Sequence, residues 1–239
     1  MRTLVTGAKG SIGTLLVPRL QGEVIATDIE ELDVTKPFVC FGADLVYHLA
    51  GAKHAPVGEE DPAETVRINV DGTRNVIEAC PGARIVLAST CKAAQPETVY
   101  GASKLIAERM VLNAGGVVAR FYNVRETVGN VFRIWEEIPE DQPLPVAGSC
   151  WRYFITTEQA VGLLEACAEL PSGRYAVDPG RASNMAAEAR RLYPGRRLKM
   201  IPPRRGDRER EPLCGDHEWI THVKGYPCIR QIVNRHDLA

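Results

Sequence analysis

The chain has 239 residues, 45% hydrophobic and 25% charged, enough to bury one substantial core or a core with a small lobe. A formal net charge of −1 excludes a global field that would gather nucleic acid or an anionic membrane, so a bound anion must be held by a local set of donors. Strand-like sequence starts directly after Met1 without the regions of a signal peptide, and no window approaches about 18 uninterrupted apolar residues; a cytoplasmic protein with no membrane or nucleic-acid partner is expected. Seven cysteines, scattered singly, argue against a disulfide framework and for a reducing compartment.

Taken in order, Arg2 to Val5 reads as a buried strand, followed by the turn Thr6-Gly7-Ala8-Lys9-Gly10-Ser11-Ile12-Gly13 and a helix over Ile12 to Leu20. Strand Glu23 to Thr27 ends at Asp28, and strand Asp44 to Leu49 comes next. Apolar residues at helical spacing over Pro62 to Cys80 predict a crossover helix. Strand Arg84 to Ala88 runs into Ser89-Thr90, helix Gly101 to Asn113 follows, and Val117 to Phe121 is a further strand. This alternation predicts an α/β fold with a doubly wound parallel sheet of Rossmann type. After Asn123, frequent proline and glycine break the pattern and predict a small C-terminal substrate lobe. The expected division is a dinucleotide-binding domain over 1–124, to which 151–170 returns, and an interleaved lobe over 125–239.

The strand, glycine turn and helix form the order a dinucleotide site needs. Gly7 permits the tight turn, Gly10 lets the backbone approach a pyrophosphate, and Gly13 allows close packing of helix on strand. Lys9, Ser11 and Ile12 belong to the same loop. Asp28 at the end of the second strand can accept from adenosine ribose hydroxyls and would repel a 2′-phosphate, which favours NAD over NADP. Asp33 and Val34 stand at the edge of the expected adenine pocket, and Leu49, Ala50, Gly51 and Lys53 follow the next strand on the ligand side. Tyr100 and Lys104, four residues apart, share one helix face. An ammonium near a phenol lowers its pKa, so that phenolate can take a hydroxyl proton as hydride leaves the carbon.

With these residues in place, the chain resembles the extended short-chain dehydrogenases, and within them the polysaccharide-biosynthesis branch of nucleotide-sugar 4,6-dehydratases, including enzymes acting on UDP-N-acetylglucosamine. The resemblance rests on four stretches. They are His48 to Pro56 with Asn69-Val70-Asp71-Gly72-Thr73, Ser89-Thr90-Cys91-Lys92 with its spacing to Tyr100, Arg120-Phe121-Tyr122-Asn123-Val124, and two arginine motifs at Arg152-Tyr153-Phe154 and Arg204-Arg205-Gly206-Asp207-Arg208 to Glu211.

The resemblance implies oxidation of a sugar at C4, loss of the C6 hydroxyl and return of hydride to C6. Tyr100, Lys104, Thr90, Cys91 and Lys92 would be the catalytic set, Lys92 being the base at C5 and neutral part of the time. Lys53, Asn123, Arg152, Arg204 and Glu211 would meet the nucleotide sugar, and the protein would be a homodimer or larger homo-oligomer. The chain departs from the branch at Cys91, where the branch has the aspartate that acts as acid on the leaving hydroxyl. Other outcomes therefore stay open at this point: a C4 epimerase or reductase, a dehydratase releasing an unsaturated 5,6-ene sugar nucleotide, and a dinucleotide-binding sensor or scaffold. No metal is expected, although Cys214, His217, His222 and Cys228 have a spacing that could encircle zinc. The alternative for this tail is that Trp219, Ile220 and Val223 pack on the main domain.

Overall fold

A computed structural model describes residues 1–39, 42–204, 207–212 and 214–231. Its first half runs β1 (Arg2–Thr6), α1 (Gly13–Leu16), β2 (Glu23–Thr27), β3 (Leu45–His48), α2 (Ala55–Glu60), α3 (Pro62–Val66), α4 (Gly72–Ala79), β4 (Arg84–Thr90), α5 (Val99–Asn113) and β5 (Val117–Phe121). The second half runs β6 (Asn123–Val124), α6 (Val131–Glu136), β7 (Leu144–Val146), β8 (Trp151–Arg152), β9 (Phe154–Ile155), α7 (Thr157–Cys167) and β10 (Gly173–Tyr175). It closes with β11 (Ser183–Asn184), α8 (Met185–Leu192), β12 (Leu198–Met200), β13 (Glu218–Val223) and β14 (Tyr226–Gln231).

Eight strands form the main sheet in the order β13-β14-β10-β5-β4-β3-β1-β2. β2 through β10 pair in parallel, and the β13–β14 hairpin adds antiparallel to β10. The strands are buried on both faces because successive side chains serve different cores. Leu4, Val46, Leu87 and Val118 pack with Val76, Ala107 and Val111 of α4 and α5. Their neighbours Val5, Tyr47, Val86 and Ala119 pack with Leu16, Val161 and Leu164 on the other side. Continuous apolar runs are what such two-sided burial demands. A third cluster, with Phe132, Trp135, Leu144, Val146 and Met185, gives the lobe its own core.

Two helices differ from their sequence expectation. α1 ends at Leu16, and Val17–Arg19 forms a single 3₁₀ turn, because Pro18 has no N–H to donate and its ring crowds the preceding carbonyl. The expected helix over Pro62 to Cys80 is one path in three parts, with a π turn over Arg67–Asp71 between α3 and α4. No helix among the described residues is long and apolar enough to cross a membrane. Cys91, Cys150, Cys167, Cys214 and Cys228 are free, whereas Cys80 is disulfide-bonded, contrary to the expectation from the odd cysteine count.

His48 is 1% exposed, its Nδ1 2.8 Å from Thr6 Oγ1 and its Nε2 3.2 Å from Thr73 Oγ1. Thr73 already donates to the Asn69 carbonyl at 2.7 Å, so its oxygen accepts from Nε2–H and the ring is neutral. Burial, with Lys104 adding to it, pushes the imidazole down to about 3. An unfolded histidine takes its proton near pH 6.5 while this one does not, so the stability His48 contributes is present above that pH and is lost as pH falls towards 3. Urea titrations are expected to show about 2 kcal/mol less stability at pH 5 than at pH 8 from this group. A His48→Asn chain with the same difference would contradict the assignment.

Candidate active site

The order of the parallel strands reverses between β1 and β3, and a ligand crevice opens at their carboxyl ends. Here it is a cleft of about 770 Å³ running from the glycine turn to the lobe. Gly7, Gly10, Ser11, Ile12 and Gly13 line one end. Gly7 has φ +70°, and a Cβ there would stand 2.6 Å from the Ala50 nitrogen; one on Gly13 would stand 2.5 Å from the Ala8 carbonyl oxygen. The turn is thus packed to backbone contact. Lys9 donates its backbone N–H to Asp28 at 2.9 Å, which fixes that carboxylate at the cleft edge. Its ammonium turns away to Glu30 and Glu31 and does not join the lining. Asp33, held down to about 2 by the Thr35 hydroxyl and Lys36, lines the same end with Val34.

Leu49, Ala50, Gly51 and Lys53 line the opposite wall. Lys53 reaches the Val128 carbonyl at 3.2 Å, and the Val128 N–H donates to Ser11 Oγ at 3.4 Å, so the loop after β6 touches both the glycine turn and the β3 side. Spacing gave no signal for this loop. Nor did it single out Asn69, whose amide donates to the Ala52 carbonyl and Ser103 while its buried Oδ1 lacks a protein partner. A Cβ on Gly51 would lie 2.9 Å from that oxygen and 3.7 Å from the Lys104 Nζ. Gly51 and Lys104 line the cleft here, with Asn69 buried behind them.

Thr98 caps α5 by accepting from the Gly101 N–H at 3.0 Å, placing Tyr100 and Lys104 on one face above the carboxyl end of β4. Gly101 lets the strand-to-helix loop lie against the helix: a Cβ there would overlap the Lys92 carbonyl. That contact brings Lys92 to Tyr100. The Tyr100 phenol is raised by burial, against which the Lys92 charge and a hydrogen bond with Thr90 pull it down. Sequence reasoning gave this part to Lys104. The Lys104 amine lies instead towards Gly51 and Asn69, lowered to about 8 by burial although Glu108 acts against it.

Lys92 donates to Glu211 Oε1 at 2.9 Å and to Asn123 Oδ1 at 3.4 Å. Burial disfavours its charge, yet the facing carboxylate outweighs this and holds the lysine above its ordinary range. That is the reverse of the partly neutral base expected from sequence. Cys91 is 1% exposed and lines a separate space of about 20 Å³ behind Lys92, together with Glu211 and Thr98. Burial first, then Glu211, pushes its thiol up to about 12. A thiol so placed does not face the cleft.

Asn123, Arg152, Arg204 and Asp207 line the lobe end. Arg152 is 8% exposed and committed to protein partners: the Arg208 carbonyl at 2.6 Å, and Asp207 and Glu211 at 3.4 Å each. Arg204 is exposed at the mouth, near enough to His54 to lower it, after burial and Lys53. Glu211 is buried behind this wall. Arg205 and Gly206 of the second arginine motif lie outside the described residues. In the tail, Cys228 is buried opposite Thr221 while His222 is exposed, so the zinc spacing is not gathered, and among the described residues no three metal-ligating side chains converge. Val223 packs on the core, but Trp219 and Ile220 are 40% and 37% exposed, contrary to the packing expected of them.

The sheet and its cleft define a Rossmann architecture of the extended short-chain dehydrogenase type. The chain belongs to the polysaccharide biosynthesis protein family, whose model matches residues 19–230. It is 35% identical over 161 residues to the probable polysaccharide biosynthesis protein EpsC of Bacillus subtilis, covering 62% of this chain and 27% of that one. It is 29% identical over 196 residues to a UDP-N-acetylglucosamine 4,6-dehydratase (inverting) of Campylobacter jejuni, covering 75% of this chain and 59% of the enzyme. The chain thus spans less than two thirds of the length of these relatives. The crystal structure of Pen from Bacillus thuringiensis superposes with a TM-score of 0.81 over 97% of this chain and 88% of its own, at 24% identity, a likeness of fold.

Proposed function

We propose that the chain is an NAD-dependent nucleotide-sugar dehydratase that oxidises C4, removes the C6 hydroxyl and returns hydride to C6, acting on a UDP-N-acetylhexosamine. The observation that carries this reading is the convergence of Tyr100, Thr90 and Lys92 between the glycine turn and the lobe. A redox acid–base pair alone needs no second amine at that point; an elimination does.

The residues fit a dinucleotide. A Cβ at Gly7 or Gly13 would fill the turn, Asp28 lines the cleft where ribose hydroxyls need an acceptor, and the Lys104 amine lines it where a second ribose would lie. Asp28, an acidic side chain at the end of β2 that would repel a 2′-phosphate, favours NAD. Nicotinamide, when bound, supplies the acceptor and later the donor of hydride. The chain does the rest. Tyr100 takes the C4 hydroxyl proton as phenolate, with Thr90 and Lys92 stabilising that form. The new ketone acidifies C5–H, and Lys92, in the cleft wall with its charge acting on Tyr100, is the amine to remove it. Arg204 is the exposed guanidinium for the diphosphate, which it can hold in a bidentate way; Arg152 stiffens the wall behind. Likeness to the Campylobacter dehydratase supports elimination.

Incubation with UDP-, dTDP- and GDP-sugars tests the reading by product mass. A product lighter by one water, absent in Lys92→Ala, is expected. Unchanged mass with inversion at C4 would replace it with an epimerase.

A further inference from the structure

The Lys92–Glu211 pair has one member at the cleft and one behind it: Lys92 lines the cleft, and Glu211 lines the small space at its back. Glu211 is 8% exposed, so the substrate contact expected of it from sequence is not open to it. Its other oxygen accepts from the Asn123 amide at 2.6 Å and lies 3.9 Å from the Cys91 thiol, while Arg152 Nε lies 3.4 Å from the oxygen that Lys92 meets. Lys92 in turn is faced by Glu211, Cys91 and Tyr100. Burying such a pair costs desolvation on both sides. The elimination gives it a use, because the same amine must be charged at one moment and neutral at the next.

We propose that Glu211 is a positioning residue acting through Lys92: it holds Lys92 as an ammonium beside Tyr100 during C4 oxidation, then takes that lysine's proton so the amine can remove the C5 hydrogen. The proposal rests on the dehydratase reading. While Tyr100 must be phenolate, the adjacent ammonium favours it; once Tyr100 has taken the C4 proton, that charge is no longer needed there. An N–H bond of Lys92 then breaks as an O–H bond forms on Glu211. The neutral amine takes the C5 proton, the C5–H electron pair becomes the C5–C6 double bond, and the C6–O bond breaks. The departing oxygen takes a proton from the Lys92 ammonium and leaves as water. Glu211 returns its proton to the amine, and the pair regains its resting state. One lysine thus serves as base and acid on one face, and no acid is asked of Cys91.

Single-turnover reactions of the NAD-loaded chain with UDP-N-acetylglucosamine and other UDP- and dTDP-sugars, followed across pH, test this with Glu211→Gln and Glu211→Asp. In Glu211→Gln, where Lys92 loses the carboxylate that keeps it charged, the limb of nicotinamide reduction that is lost as pH falls is expected to move up by about one pH unit or more. Water loss is expected to fall by about 100-fold beyond any fall in oxidation. Glu211→Asp should recover part of both. An unmoved limb, or oxidation and water loss falling together, would reduce Glu211 to a structural residue while water loss by the unchanged chain keeps the dehydratase reading. Oxidation without water loss by the unchanged chain sinks the reading and the proton exchange with it. No reduction of NAD by any sugar sinks both. If Glu211→Gln does not fold, Glu211→Asp, which lengthens the pair, decides by a smaller shift in the same direction.

Discussion

Tyr100→Phe is expected to cut C4 oxidation about 1,000-fold, read as reduced nicotinamide formed in a single turnover. At 1.36 kcal/mol per tenfold this is about 4 kcal/mol of barrier. The substitution deletes one oxygen from a partly buried ring at the cleft wall, so cofactor affinity and the thermal midpoint should hold. The phenol is raised by burial and pulled back by Lys92 and Thr90, so activity is present at pH above its apparent pKa and is lost as pH falls through it. That limb should vanish in Tyr100→Phe. It should move up further in Lys92→Met than in Lys104→Met, because the Lys92 charge is the one acting on the phenol. Equal shifts would return the electrostatic part to Lys104, whose place beside Gly51 and Asn69 suits it to a ribose. A Tyr100→Phe chain within about tenfold of the unchanged rate would remove Tyr100 from the chemistry.

Local pattern made much of this legible. The five parallel strands up to Phe121 stand where unbroken apolar runs put them, since a strand buried on both faces has no polar side to interrupt it. The glycine turn and the Tyr100 to Lys104 spacing are short-range features, readable because chemistry and backbone geometry fall within a few residues. Partnerships between distant segments were not readable. Lys92 and Glu211 lie 119 positions apart, and nothing in either neighbourhood states that a carboxylate would hold the lysine charged. The same limit hid the direction of Cys91, which depends on how the loop before α5 lies on Gly101. The β13–β14 hairpin is a different case, for a signal was there: Lys224 and Gly225 both have positive φ, the requirement of a two-residue turn that Gly supplies. The Glu218 to Val223 run before it is the matching strand. The zinc spacing drew attention to the same residues for another reason.

That hairpin bears on the second large effect. Glu108 of α5, fully buried, accepts from Arg120 Nη2 at 2.6 Å, Arg174 Nε at 2.8 Å and Ser89 Oγ at 2.6 Å. Arg120 also donates to Glu218 of β13 at 2.7 Å. One helix, three strands of the sheet and the tail hairpin thus meet in a single buried charge cluster. Glu108→Ala leaves two buried guanidiniums sharing one carboxylate. Breaking a buried pair in this way costs about 3–5 kcal/mol, a large share of the roughly 5–15 kcal/mol that holds a domain folded. The thermal midpoint is expected to fall by roughly 6–20 °C. Glu30→Ala, which removes only an exposed partner of Lys9, should leave it in place. If the cost is that of stranded charge, Glu108→Gln with Arg174→Met should recover part of it, because the second change removes one unpaired guanidinium. An unchanged midpoint in Glu108→Ala would mean that water reaches the cluster and the pairs are worth little. Because Arg120 ties Glu218 to this centre, loosening it should also open β13 and β14 to amide exchange before the parallel strands. The described segment 207–212 that carries Glu211 lies just ahead of that hairpin, so stability at Glu108 and charge at Lys92 are expected to fail in the same variant.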